Sequence, residues 1–260
     1  MKKSKMNIIG FVLFYAGILA IWQLAYILGT QVFDVWKPYA FPNITQIFTR
    51  AGELIADGSI QIAIVSSLAR GAIGYFLACV IGCILGMILI KSSMLCKYLK
   101  PMLMGLQTLP SVCWVPFAIL WFGLGDDSII FVVVMGSAVG IALSVESSIR
   151  NIEPLYLSVA GIMGAKGMKL VTTVIIPAAM PSLISGFRQG WSFAWRALMS
   201  GEVISATVGL GNILMLGRNL ADINQVMLVM IVIIMIGILI DKLGFSLVEN
   251  RVLRKRGLIK

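Results

Sequence analysis

The sequence is cut into long runs that contain no charged residue. Ile8 to Leu28 is one such run, at 21 residues. Gly71 to Ile90, Ser128 to Val145 and Ile223 to Ile240 are others. About 20 apolar residues in a helix span the hydrocarbon core of a bilayer, and helices satisfy their backbone polar groups internally, so a chain made of such runs folds as a bundle of membrane helices. Composition agrees, with 59% of residues apolar and only 12% charged, against roughly 25% charged in soluble domains. Spans on this scale would occupy the 260 residues without an appended catalytic domain. The chain has no histidine, which removes His-based acid–base chemistry, Ser-His and Cys-His nucleophile pairs and histidine metal ligation. Cys79, Cys83, Cys96 and Cys113 show no CxxC spacing, so neither a metal site nor a catalytic residue is expected.

Proline and charge set the remaining boundaries. Pro38 and Pro42 break the stretch after the first run. Ile47, Phe48, Ala51, Leu54 and Ile55 then recur at helical spacing, so residues 45–57 read as a short amphipathic helix at the membrane interface. Spans are expected at 8–28, 60–90 with Arg70 near the outer interface, 101–124 interrupted by Pro110 and Pro116, and 128–147. Leu170 to Gly201 carries Pro177, Pro181, Arg188 and Arg196 and holds one span or two. Charge bias decides. With single spans at 182–206 and 223–247, 14 of the 21 basic residues fall on one side, among them Lys2, Lys3, Lys5 and the tail Arg251, Arg254, Lys255, Arg256 and Lys260. Six of the 11 acids fall on the other. A seventh span would place the basic tail outside, against the positive-inside rule. The expectation is an all-α integral membrane protein, one transmembrane domain over residues 1–260 with six helices, in the cytoplasmic membrane with both termini cytoplasmic. The net charge of +10 then belongs to topology and lipid headgroups, with no nucleic acid partner. Gly82 and Gly86, Gly136 and Gly140, and Gly186 and Gly190 are four apart, the spacing of close helix approaches in membranes.

Residues 150–180 form a cytoplasmic loop longer than a connection requires. Pro154 after Glu153 suits the first turn of a helix. Leu155 to Met163 then make nine residues that Gly164 can end in a left-handed conformation, with a second short helix at about Met168 to Ile175 that stops before Pro177. Leu155, Tyr156, Val159, Ile162 and Met163 are too apolar for open water, and either the protein's own bundle or a groove on a second protein covers them.

The run Ser158-Val159-Ala160-Gly161-Ile162-Met163-Gly164-Ala165-Lys166, followed by Val174-Ile175-Ile176-Pro177, resembles the EAA loop of ABC importer permeases. It departs from that pattern at Ser158, where the family has Glu, and at Val159 for Ala. Phe41-Pro42-Asn43-Ile44-Thr45, Trp121-Phe122-Gly123-Leu124-Gly125, the run from Gly186 through Trp191, Trp195 and Arg196 to Glu202, and Gly209-Leu210-Gly211 resemble the nitrate, sulfonate and taurine branch. The resemblance implies a type I importer fold with a cytoplasmic EAA coupling loop. It implies a second permease subunit, expected to be identical, a cytoplasmic ABC ATPase dimer that docks on Leu155–Lys166, and an extracytoplasmic solute-binding protein. The solute would be a small anion such as a sulfonate, taurine or nitrate. No Gly-Lys dipeptide occurs, so no P-loop exists, this chain is not an enzyme, and ATP and Mg are expected on the ATPase.

Ionisable groups inside spans usually face a cavity or a partner. Arg188, Ser192, Trp195, Met199 and Glu202 follow one near-heptad stripe, with Arg196 at its edge. One reading makes this stripe, with Gln107 and Ser111 flanking Pro110, the lining of a translocation pathway in which Arg196 attracts an anion. The other has Arg188 snorkelling to the interface and Arg196 paired with Glu202 or Glu146. A self-sufficient carrier or channel would want inverted-repeat hydropathy and a midspan acidic relay, and an integral membrane enzyme would want clustered carboxylates; neither pattern is evident.

Overall fold

The computed structural model describes residues 2–37 and 39–255. Pro38, Arg256 and Lys260 lie outside the described residues. The elements are helical: α1 (Lys2–Ile27), α2 (Ile44–Ala56), α3 (Ser59–Lys91), α4 (Ser93–Thr108), α5 (Val115–Phe122), α6 (Asp126–Arg150), α7 (Pro154–Ile162), α8 (Gly167–Leu170), α9 (Ile176–Ile204), α10 (Leu210–Asn219), α11 (Ile223–Ile240) and α12 (Leu247–Lys255). Among the described residues, five helical runs are long and apolar enough to cross a membrane, and a sixth is added when the bent pair α4 and Ser111–Phe122 is taken as one span.

That sixth run corrects an expectation. The third span was expected as one interrupted helix over 101–124; α4 instead starts at Ser93, keeps Pro101 inside it, and meets the next helical segment at 99°. Pro110 forces the residue before it out of the helical region, and Leu109 has ψ 124. The fifth span differs too. It was expected to begin after Pro181, yet helix runs from Gly167 to Ile204, passing through a π turn at Val171–Ile175, with Pro177 in the first turn of α9 and Pro181 inside it. The second hairpin helix is thus only α8, continuous with the span. The last span also continues, through a π turn at Asp241–Ser246 into α12.

The described chain packs as two compact units, Met1–Gln61 with Ile213–Val232, and Ile62–Asn212 with Ile233–Lys260. In the first, Asn43 caps α2 by accepting from the Thr45 N–H at 2.9 Å, and its own N–H donates to Asn224 Oδ1 at 2.9 Å. Trp36 stacks on Phe41 at 4.9 Å, and Trp22 Nε1 donates to the Pro42 carbonyl at 3.0 Å. The Phe41–Thr45 run is therefore the clamp that sets the start of α2. Arg50 on α2 reaches Asp222 at 3.2 Å and donates to Gln225 Oε1 at 2.7 Å.

In the second unit α6 packs along α9, and α3 packs against both: Ala78 meets Ile141 of α6, and the Tyr75 hydroxyl donates to the Phe187 carbonyl of α9 at 2.9 Å. A methyl group added at Gly82, Gly86, Gly186 or Gly190 would lie 2.5–2.8 Å from side-chain atoms of Ile141, Val145 or Ser144. The glycine pairs therefore bring backbones together, as their spacing implied. Ala78, Ala138, Ile141 and Val145 fill the space between α3 and α6.

Candidate functional site

The first candidate site is the hairpin between α6 and α9. Pro154 opens α7, and the Tyr156 N–H bonds to the Glu153 carbonyl at 3.1 Å. The other end is a complete Schellman motif: the Ala165 N–H reaches the Ala160 carbonyl at 2.9 Å and the Gly164 N–H reaches Gly161 at 3.0 Å. Gly164 takes φ +76 and Gly167 φ +57, left-handed conformations that an L side chain resists. Open space surrounds a Cβ at Gly164, so backbone conformation alone selects glycine there. Ala160 is buried, while Ile162 and Met163 are 87% and 81% exposed and Leu155, Tyr156 and Val159 are exposed too. The own-bundle covering is thereby excluded for most of this face. Leu155, Tyr156, Val159 and Met163 instead border an open apolar groove of about 740 Å³ against Val174, Pro177 and Pro181. Ser158, Ala165 and Lys166 complete the loop; the Ser158 hydroxyl donates back to the Pro154 carbonyl at 3.0 Å and occupies the exposed face where the related motif has a carboxylate.

Two buried acids anchor the ends of α6 and α9. Glu146 has no exposed surface and is held by Lys100 Nζ and Arg150 Nε, each at 2.7 Å. Glu202, equally buried, lies 2.8 Å from the Ser67 hydroxyl, accepts from the Gly211 N–H at 3.0 Å and faces Arg70 Nη2 at 3.1 Å. Arg70 also contacts Asp126 at 3.1 Å, donates to Thr207 Oγ1 at 2.6 Å and donates to the Val208 carbonyl. A Cβ at Gly209 or Gly211 would come within 2.6 Å of Glu202, so the Gly209-Leu210-Gly211 run is shaped by that side chain. Arg70, expected at an interface, is in fact 4% exposed and the hub of this cluster. The rule that a charge inside a span seeks a partner was enough to flag it; which partner depends on how α3 and α9 face each other.

The α9 stripe does not survive as one surface. Trp195 is buried and stacked with Trp191 at 6.0 Å, Glu202 is sealed in its cluster, Met199 is half-buried and Ser192 is exposed. Arg188 does not snorkel as a free cation: Nε and Nη2 each meet Asp241 at 2.5 Å and Nη1 meets Glu249 at 3.0 Å, a forked bridge from α9 to the C-terminal helices. Arg196 pairs with neither Glu202 nor Glu146. It lines a cavity of about 380 Å³ together with Gln107, Thr108, Ser111, Phe193 and Ser200. Of the seven pathway residues expected from sequence, the structure gathers Gln107, Ser111 and Arg196 and leaves Ser192, Trp195, Met199 and Glu202 outside the cavity. Ser200, not singled out in the sequence, is one turn after Arg196 on the same face and was readable from helical period alone.

Residues 78–256 match the family model described as binding-protein-dependent transport system inner membrane component, and the chain belongs to that family. It is a multi-pass inner-membrane permease of the ABC importer kind, as the EAA-like run implied. The chain is 29% identical over 241 residues to the aliphatic sulfonates transport permease protein SsuC of Bacillus subtilis (strain 168), covering 93% of this chain and 85% of that one. It is also 29% identical over 237 residues to the nitrate import permease protein NrtB of Synechococcus elongatus, covering 86% and 83%. A chain of the inward-facing MetNI methionine ABC transporter superposes with TM-score 0.64 at 19% identity, over 76% of this chain and 97% of that one, a likeness of fold.

Proposed function

We propose that this chain, paired with a second copy, forms the pathway of an ATP-driven importer for a small anion of the sulfonate or nitrate kind. Both termini and the α7 hairpin face the cytoplasm, where an ABC ATPase dimer carrying ATP and Mg grips the hairpin; an extracytoplasmic binding protein delivers solute to the opposite face. The relatives named for sulfonate and nitrate transport support the solute class. The observation that carries the coupling role is the apolar face of α7, held by a Schellman cap, with Leu155, Tyr156, Val159, Ile162 and Met163 left exposed by the described residues. A short helix with apolar anchors at this spacing suits a groove on a partner. Nucleotide-driven closure of the ATPases would then move the paired hairpins, and α9 would carry that movement into the span.

Co-purification from the native membrane tests this reading. Wild type is expected to bring an ABC ATPase with it, and Ile162→Asp with Met163→Asp to lose at least tenfold of the captured ATPase while remaining membrane-inserted. Undiminished capture, or labelling of a cysteine at position 162 by an impermeant maleimide applied outside intact cells, would overturn it.

A further inference from the structure

A guanidinium in a membrane span is costly unless a carboxylate or a wet cavity answers it. Three cations in the spans are answered by acids: Arg70 by Glu202 and Asp126, Lys100 by Glu146, and Arg188 by Asp241 and Glu249. Arg196 is treated differently. Among the described residues no carboxylate oxygen lies within 4.0 Å of it, although it sits eight residues before the end of α9 at Ile204, about 12 Å inside the helix. Its Nε donates to the Ser192 carbonyl at 3.1 Å and its guanidinium lies 5.0 Å from the Phe193 ring centroid, which fixes the side chain. The two terminal nitrogens have no protein acceptor among the described residues.

Arg196, exposed in the single chain, borders a cavity lined by no acid. In the same lining, Ser200 Oγ on α9 donates to the Arg196 carbonyl at 3.1 Å and lies 3.4 Å from Ser111 Oγ on the segment after Pro110, and no hydrogen bond of the Gln107 side-chain amide is found among the described residues. One fork of N–H donors, the Ser111 hydroxyl, an amide, and a Ser200 hydroxyl that reaches an anion by turning from its backbone acceptor, in a space of about 380 Å³, match a group that is negative, multidentate and small. We propose that Arg196, Ser111, Ser200 and Gln107 form a binding station for a small monovalent oxyanion within the pathway. Gln107 also borders a second cavity of about 530 Å³, lined by Ser147, Asn151, Ser182 and Ser185. Glu249, the acid in that lining, is already bridged to Arg188, so the second cavity offers hydroxyls and amides but no unanswered cation. An anion leaving the station through it is solvated without being held again.

The proposal deepens the importer reading and rests on it for the direction of travel, but not for binding. The test is equilibrium dialysis of the full-length chain in nanodiscs against 35S-labelled ethanesulfonate and against nitrate, with labelled choline as the cation control. Wild type is expected to retain one or both anions above the choline background. Arg196→Gln should lower retention at least tenfold, Arg196→Lys by a smaller factor, and the Ser111→Ala, Ser200→Ala pair about threefold to tenfold; Lys97→Gln, away from the cavity, should match wild type. Retention of ethanesulfonate alone or nitrate alone names the preferred anion, and either supports the station. Equal retention by wild type and Arg196→Gln, or no retention of either anion by wild type, overturns it. If Arg196→Gln is not monodisperse, the serine pair and Arg196→Lys decide, and unchanged retention in both is again fatal. Loss of ATPase capture with anion retention intact would break the importer reading and leave the station standing.

Discussion

The loop that follows α9 and the hairpin that precedes it are built on opposite terms. At the end of α9, Glu202 is sealed from solvent and its oxygens meet a hydroxyl, a backbone N–H and a guanidinium, with two glycines of the following loop packed against it. Before α9, α7 satisfies its backbone at both ends and leaves its apolar side chains bare. In the first region side chains hold the fold and no surface is spared. In the second the backbone alone holds the fold, which frees the side chains for something outside the chain. The contrast teaches where substitutions act: on stability at Glu202, on association at α7.

The comparison breaks if the two regions respond alike. Glu202→Ala leaves the buried Arg70 guanidinium with Asp126 as its remaining carboxylate and takes the acceptor from the Ser67 hydroxyl and the Gly211 N–H, at a cost of up to about 3–5 kcal/mol; the unfolding midpoint in detergent should fall sharply. Gly164→Ala has room for its methyl group and meets only the left-handed backbone penalty, about 1 kcal/mol. That loss should show as faster hydrogen exchange confined to residues 160–166, with partial loss of ATPase capture. Gly164→Asp adds a charge with no chain atom near it, so any further loss of capture reports on the partner's groove. Ile162→Ala should leave unfolding within about 0.5 kcal/mol of wild type, as exposed positions do, while capture drops. A midpoint shift for Ile162→Ala approaching that of Glu202→Ala would erase the distinction.

The smallest effect concerns pH. The Ser59 hydroxyl and backbone N–H beside Asp57 hold its carboxyl below the usual carboxylate range, the N–H bonding at 2.8 Å at the start of α3. A depressed pKa contributes stability that is present above the carboxylate's ordinary value and lost as pH falls through the lowered one. Exchange of the first amides of α3 should therefore be protected near neutral pH and lose protection in acid, and Asp57→Asn should remove the pH dependence.

How much of this was readable beforehand varied with the kind of information required. Charge-free runs located the spans because length and hydropathy are one-dimensional properties, and Gly164 was readable as a helix stop because glycine tolerates the left-handed conformation, whereas Gly161, three residues earlier, stays inside the helix. Partners were another matter. Arg196 has Glu202 six residues away, yet the acid turns to Arg70 on α3 and the cation to an open cavity. Which side of α9 faces α3 is an azimuth, and neighbouring charges in sequence do not report it. Prolines misled in both directions: Pro181 sits inside a continuous helix, where the residue pattern reads as a boundary, and Pro110 makes a right-angled break rather than a kink. Proline tells that a backbone bond is missing; the packing around it decides whether the helix bends, breaks or carries on.

The run from Gly167 to Ile204 is 38 residues without a break. At 1.5 Å per residue, Arg196 stands about 43 Å along it from the hairpin. The π turn at Val171–Ile175 and the backbone bond missing at Pro181 are the places where it can bend; moved as one rod, a tilt of about 5° at its foot sweeps the guanidinium sideways by about 4 Å, more than the length of a hydrogen bond. In the proposed importer, such a movement would turn a small shove at the hairpin into making or breaking contact with an anion at Arg196.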